Sequence, residues 1–231
     1  MSFAVMFAFV VFAIHQWQHK RIKESYLHIG LQAYENCRWK TAASNLGKYL
    51  SFSPGDTDVL LKYADAQLHI RPCRYEHIEQ AIAAYRAVLR KDRTNKIAVE
   101  QLTNLYLQTA APAEAENIAR RYLSNKNDYS IAMLCAAAMY EQRKFQQAAE
   151  IAREIIAECP NSLKAYAIMY KIARSTNDES YGKSRDWLNL CIKNNPDSAN
   201  AYIMAASFYI DENKYDTAVK MLDKAETLDM P

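Results

Sequence analysis

Residues 148–175 read AAEIAREIIAECPNSLKAYAIMYKIARS, and this stretch decides the fold. Ala148, Ala152 and Ile155 are spaced by four and three, which places them on one face of a helix. Pro160 stops that helix, because proline is common just beyond a helix end. Asn161 offers a side chain that can cap the next helix. Tyr166, Met169, Tyr170 and Ala173 then repeat the three-and-four spacing, so a second helix begins within a few residues. One helix presents small residues and the next presents bulky residues around a contact.

The same arrangement recurs outward in both directions. Small residues followed four and seven positions later by apolar or aromatic ones occur at Ala42, Leu46, Tyr49; Ala81, Tyr85, Val88; and Ala115, Ala119, Tyr122. They continue beyond the central stretch at Ser184, Leu188, Cys191 and at Ala218, Leu222, Ala225. Successive first members of the six sets are 39, 34, 33, 36 and 34 residues apart. The helix preceding each set has its own pattern: Tyr26, Ile29, Gly30, Ala33; Leu60, Tyr63, Ala64, Gln67; and Val99, Leu102, Thr103, Tyr106. It continues in Ala132, Cys135, Ala136, Met139 and in Tyr202, Ala205, Ala206, Tyr209. A small central residue lets a paired helix approach, and the bulky ones fill the space between neighbours. Pro54 and Pro196 punctuate unit ends as Pro160 does, and Asp56 and Asp197 come after them as potential caps.

Composition agrees with helices joined by short connections. Half of the 231 residues are hydrophobic, and 4 Gly and 6 Pro leave little material for many tight turns. The charge of +3, from 29 basic and 26 acidic residues, offers no clustered basic footprint, so no nucleic-acid partner is expected. Cys37, Cys73, Cys135, Cys159 and Cys191 are odd in number and lack a C-x-x-C pair, which argues against a metal or disulfide framework. They read as small apolar fillers on helices, and fit a reducing compartment. There is no G-x-S-x-G, H-E-x-x-H or glycine-rich phosphate loop. His15 and His19 have i, i+4 spacing without a third ligand. No enzyme activity, cofactor, metal or small-molecule substrate is expected.

A period near 34 with two helices per unit is the tetratricopeptide spacing. Over residues 24–230 the chain resembles the tetratricopeptide-repeat family, with six units at about 24–56, 57–95, 96–128, 129–162, 163–198 and 199–231. The family's common Trp is absent from the first bulky position, and unit two carries extra residues at 69–76 (HIRPCRYE). Unit five carries two extra near 177–181, and both loops are expected to protrude. The resemblance implies an all-α, right-handed solenoid whose first helices line a concave groove. The family's groove positions carry over to Leu27, Leu31 and Tyr34 in unit one, Leu61 and Lys62 in unit two, and Asn104 in unit three. Met133 and Tyr140 are their counterparts in unit four, Lys164, Ile168, Lys171 and Arg174 in unit five, and Ile203 and Met204 in unit six. Leucine at 27 and 31 disfavours the Lys/Asn carboxylate clamp known in the family. An apolar groove with a cationic stretch suits an amphipathic helix or an extended segment bearing some acidic residues.

Ser2 to Ile14 reads SFAVMFAFVVFAI, without a charge. Counting to Trp17 gives roughly 25 Å of helix at about 1.5 Å per residue, short beside a bilayer core. Phe3, Phe7, Val10, Phe12 and Ile14 would face lipid, Trp17 suits the headgroup level, and Lys20, Arg21 and Lys23 form a basic flank. A signal peptide would carry a basic start and an A-x-A-like site, and neither is found. Residues 1–23 are therefore expected to be a membrane anchor, with a buried or partner-docking helix as the alternative. The basic flank places the repeats on the cytoplasmic side.

The resulting expectation is a membrane-anchored scaffold that assembles a multiprotein complex. Two other readings stand beside it. One is a permanent structural subunit of a large membrane or respiratory complex; the other is the regulatory part of a longer enzyme. No polar capping helix comes after the sixth unit, so the array is expected either to continue or to dock by its end.

Overall fold

A computed structural model describes the backbone of residues 2–124, 126–176 and 178–229, and the side chains of 15–124, 126–176 and 178–228. Twelve α-helices succeed one another among the described residues, with no strand. They are α1 (Ser2–Glu35), α2 (Trp39–Phe52), α3 (Thr57–His69), α4 (Tyr75–Lys91), α5 (Lys96–Gln108) and α6 (Pro112–Leu123). The second six are α7 (Tyr129–Glu141), α8 (Phe145–Glu158), α9 (Leu163–Thr176), α10 (Ser184–Asn194), α11 (Ala199–Asp211) and α12 (Tyr215–Asp229). A single 3-10 turn, Glu179–Tyr181, lies between α9 and α10.

Four of the six helix pairs turn on the same backbone device. Cys37, Ala110, Arg143 and Asn213 have φ of 54, 55, 60 and 59°. Each is the middle residue of a three-residue connection. The N–H of the next residue donates five positions back: Arg38 to Ala33, Ala111 to Tyr106, Lys144 to Met139, Lys214 to Tyr209, at 2.8 to 2.9 Å. This is the Schellman ending, which satisfies carbonyls left open at a helix C-terminus. A left-handed residue there reverses the chain within three positions.

The other ends of the helices are held by side chains. Asp56 Oδ1 accepts from the Val59 N–H, Asn95 Oδ1 from Ala98 and Asp128 Oδ1 from Ser130 and Ile131. Pro112 starts α6, where its missing N–H costs nothing. Asp197 is not the cap of α11; Ser198 holds that place and makes no side-chain cap bond.

The chain divides into two units, residues 1–105 and 106–231. In the first, α1 packs on α2, α2 on α3 and α3 on α4. Ala42, Leu46, Tyr49, Ala81, Tyr85 and Val88 are all buried. A Cβ on Gly30 would stand 2.6 Å from Leu46 Cδ2, so glycine is what lets α1 and α2 approach. In the second unit each helix from α6 to α12 packs on the next, and α7 also touches α9. Ala115, Ala119, Tyr122, Ala148, Ala152, Ile155, Leu188 and Cys191 are buried there, each fully buried Leu- or Ile-sized side chain contributing about 1.5–3 kcal/mol. Leu222, by contrast, is 43% exposed.

The expected border between residues 23 and 24 falls inside α1, which runs unbroken from Ser2 to Glu35. Among the described residues no helix is long and apolar enough to cross a membrane. The side chains of Phe3, Phe7, Val10, Phe12 and Ile14 lie outside the described residues, and Trp17 is 57% exposed. The cysteines divide. Cys135 and Cys191 are buried on helices, and burial pushes both thiols up to about 11. Cys37 and Cys73 are exposed in connections, so for these two the reading as helix fillers is corrected.

The two connections expected to protrude differ in how they lie. Residues 70–74 join α3 to α4, and Pro72, Arg74 and Glu76 border a hollow of about 810 Å³ with Lys40, Gly47 and Lys48 of α2. The 3-10 turn before α10 is laid against its neighbours: Trp187 Nε1 donates to the Tyr181 carbonyl at 2.6 Å and Arg153 Nη2 to that of Ser180 at 2.9 Å.

Candidate protein-binding face

The first helices of successive pairs, α1 and α3 in one unit and α7, α9 and α11 in the other, carry most of the groove residues expected from the sequence. In the first unit Tyr34 and Lys62 come together. The Tyr34 hydroxyl donates to Asp65 Oδ2 at 2.6 Å, and Lys62 Nζ stands 5.2 Å above the Tyr34 ring. Burial, and then the Asp65 acceptor, push the Tyr34 hydroxyl up to about 12, so it is a donor at any physiological pH. Leu27, Leu31 and Leu61 are half-buried beside this pair's helices, and Asn104 is half-buried on α5.

In the second unit a hollow of about 640 Å³ opens on the face of α7, α9 and α11. Tyr140 and Glu141 come from α7, Tyr170, Lys171, Arg174 and Ser175 from α9, and Phe208 and Asp211 from α11. Spacings of three and four along α9 bring its members to one face. Tyr140 Oη and Ser175 Oγ share a hydrogen bond of 3.1 Å, and Lys171 Nζ lies 6.0 Å from the Tyr140 ring centre. Arg174 donates through Nη2 to the Asp211 carbonyl at 3.1 Å and faces Asp211 Oδ2 at 3.5 Å. The Tyr170 ring stacks on Phe208 beneath, and its hydroxyl donates to Glu212 Oε1 at 3.2 Å. Glu212 also receives Lys214. That bond, opposed by burial and helped by Tyr170, keeps its carboxyl below the ordinary range.

Other expected groove residues lie elsewhere. Met133 and Ile168 are buried at 5% and 7% exposure, so they belong to the packing between helices and are not open to a ligand. Both sit on helices that neighbours cover on several sides, α7 by α6, α8 and α9, and α9 by α7, α8 and α10. Lys164 is exposed in the first turn of α9, away from the hollow. Met204 is half-buried against the core around Tyr166 and Tyr170, while Ile203 is 49% exposed. Sequence reasoning missed Glu141, Ser175, Phe208 and Asp211 and assigned Tyr170 only to packing. A signal existed at 170, where a tyrosine takes the place held by Gly30, Ala64, Thr103, Ala136 and Ala206 in the other units.

The face offers an aromatic floor, two cations and two carboxylates, which is recognition chemistry. His15 Nε2 and His19 Nε2 lie 3.2 Å apart and are exposed, and no group of three metal-ligating side chains occurs among the described residues.

The helix pairs and their turns form the tetratricopeptide-repeat fold, and solved structures bear out that fold. The chain is similar to a tetratricopeptide repeat protein from Parabacteroides merdae, with a TM-score of 0.65 at 15% identity, covering 90% of this chain and 79% of that one. It is similar to PilW, described as a widely conserved type IV pilus biogenesis factor, with a TM-score of 0.60 at 11% identity over 87% and 90%. It is also similar to YrrB, described as a TPR protein with an unusual peptide-binding site, with a TM-score of 0.51 at 17% identity over 81% and 94%. No family model and no curated protein sequence matches the chain.

Proposed function

We propose that this protein is a membrane-anchored scaffold that holds a segment of another protein on the face of α7, α9 and α11, and thereby assembles a protein complex at a membrane. The observation that carries the reading is the hollow between Tyr140, Lys171, Arg174 and Phe208. Its aromatic floor and cationic rim suit an amphipathic helix or extended segment with acidic residues. The uncharged run of residues 2–14, succeeded by Trp17 and by Lys20, Arg21 and Lys23, supports an anchor with the repeats on the cytoplasmic side. The scaffold has no catalytic step of its own.

Cross-linking mass spectrometry on native membranes tests the reading. Links from Lys171 to one short segment of one partner, weakened by Tyr140→Ala, are expected. A second reading, a permanently built-in subunit, is favoured by one observation: Tyr215, Val219 and Leu222 form an exposed stripe on α12 at i, i+4 and i+7. Links confined to Lys220 and Lys224, with Lys171 silent, would replace the first reading by the second.

A further inference from the structure

We infer that the edge of the first unit at the foot of α1 docks on anionic phospholipid headgroups, so that the second helix pair, as well as the anchor, touches the membrane. The inference rests on the anchor reading of residues 1–23.

Helix continuity is the first observation. No turn or loop separates the apolar run from the first repeat, because α1 is one helix from Ser2 to Glu35. With a rise of about 1.5 Å per residue, Lys20 lies about 4.5 Å and Lys23 about 9 Å along the axis from Trp17. If Trp17 sits at the headgroup level, Lys20 falls well within one Debye length of the lipid charges, roughly 8 Å at physiological salt, and Lys23 lies at its limit.

The second observation is where α2 ends. Its last residue, Phe52, is 42% exposed and places its ring 6.0 Å from that of His19 and 6.4 Å from that of Tyr26. Lys23 Nζ lies 5.3 Å from the Tyr49 ring on the same helix end. The end of α2 is therefore level with residues 19–26 of α1, one to two turns from Trp17, and presents an aromatic edge.

The third observation extends the edge to the next helix pair. Lys91, at the end of α4, reaches across to donate to the Gly55 carbonyl at 2.8 Å, in the connection just after Phe52. Arg90 and Arg93 flank it in sequence. Four acidic groups share this edge with the cations, and one of them, Glu24, faces a cation. Asp56 accepts from Tyr49 and Val59, Asp92 accepts from Thr94, and Glu24 faces Lys20 at 4.0 Å; Asp58 is exposed. Cations beside exposed aromatics, held parallel to a headgroup layer, are complementary to an anionic lipid surface.

The test uses the full chain reconstituted in vesicles of phosphatidylcholine alone and in vesicles with one lipid in three replaced by phosphatidylglycerol. Flotation reports the anchor. Lysine acetylation read by mass spectrometry reports the edge. Labelling of Lys91 is expected to drop about fivefold in the anionic vesicles, the equivalent of about 1 kcal/mol per surface cation. Labelling of Lys40, at the opposite end of α2, stays unchanged. Flotation with both vesicles and equal Lys91 labelling in each overturns the inference and leaves the anchor standing. Failure to float with either overturns both.

Discussion

The rings of Tyr170 and Phe208 lie almost parallel, 14° apart with centroids 4.0 Å from each other, and join α9 to α11 under the floor of the hollow. The two residues carry separable contributions. Tyr170→Phe keeps the stack and loses the donation to Glu212, so a cost of about 1 kcal/mol is expected in urea unfolding. Phe208→Ala removes the stack and leaves a void under the floor, with an expected cost of about 3–5 kcal/mol. Equal costs for the two variants would mean that the hydroxyl, and not the stack, joins these helices.

Gly30 on α1 faces α2, and Gly47 on α2 faces α3, with different room. A methyl at Gly30 would meet Leu46 Cγ at 2.9 Å and the Leu46 backbone nitrogen at 3.1 Å, so α1 and α2 must separate. Gly30→Ala is expected to destabilise by about 1–2 kcal/mol even after the better helix propensity of alanine is counted. At Gly47 the nearest atom is Tyr63 Cε2 at 3.1 Å, the edge of a half-buried ring beside the open hollow of the first unit. Gly47→Ala is expected to be neutral or stabilising when the two variants are compared by thermal unfolding.

The left-handed turn residues give a graded series. Ala110 bears a Cβ at φ 55° without a side chain that can compensate, whereas Asn213 at φ 59° is of a type that tolerates this region. Ala110→Gly is expected to stabilise by about 0.5–1 kcal/mol, the relief of strain less the added freedom of the unfolded chain. Asn213→Gly should change little. A rise in urea midpoint for the second variant and none for the first would contradict the assignment of strain.

Glu116 is 7% exposed at the junction of α6, α7 and α8. Burial works against its charge, and donation from Lys144 at 2.7 Å, Arg120 at 2.7 Å and Gln142 at 2.7 Å more than offsets that cost. The carboxyl is therefore held below its ordinary 4.5. A depressed folded value means stability that is fully present above pH 4.5 and is lost as pH falls through the folded pKa. Glu116→Gln is expected to cost about 1–3 kcal/mol at neutral pH and to flatten the acid side of the stability profile. An unchanged acid limb would show that other carboxylates govern it.

Much of this architecture is legible in the residues, because small and bulky side chains at three-and-four spacing have a single helical solution. Ala42 to Tyr49, Ala81 to Val88 and Ala148 to Ile155 are buried as that spacing requires. The face was legible at Tyr140, Lys171 and Arg174, where a helix position and an outward side chain coincide. It was not legible at Met133 and Ile168, because burial depends on how many neighbours surround a helix, which the residue's own periodicity does not encode. Phe208 and Asp211 escaped for a related reason. Their role comes from Tyr170 and Arg174 on another helix, a relation between units that repeats within one unit do not reveal.

The uninterrupted α1 has a consequence for azimuth. A rod without a swivel preserves helical phase, so whatever grips residues 2–14 also fixes the compass heading of the first helix pair. One residue inserted between Ile14 and Trp17 would advance that heading by about 100°, and a seventh would nearly restore it. Through α1, the side of the first repeat that meets any neighbour becomes a property of residue count.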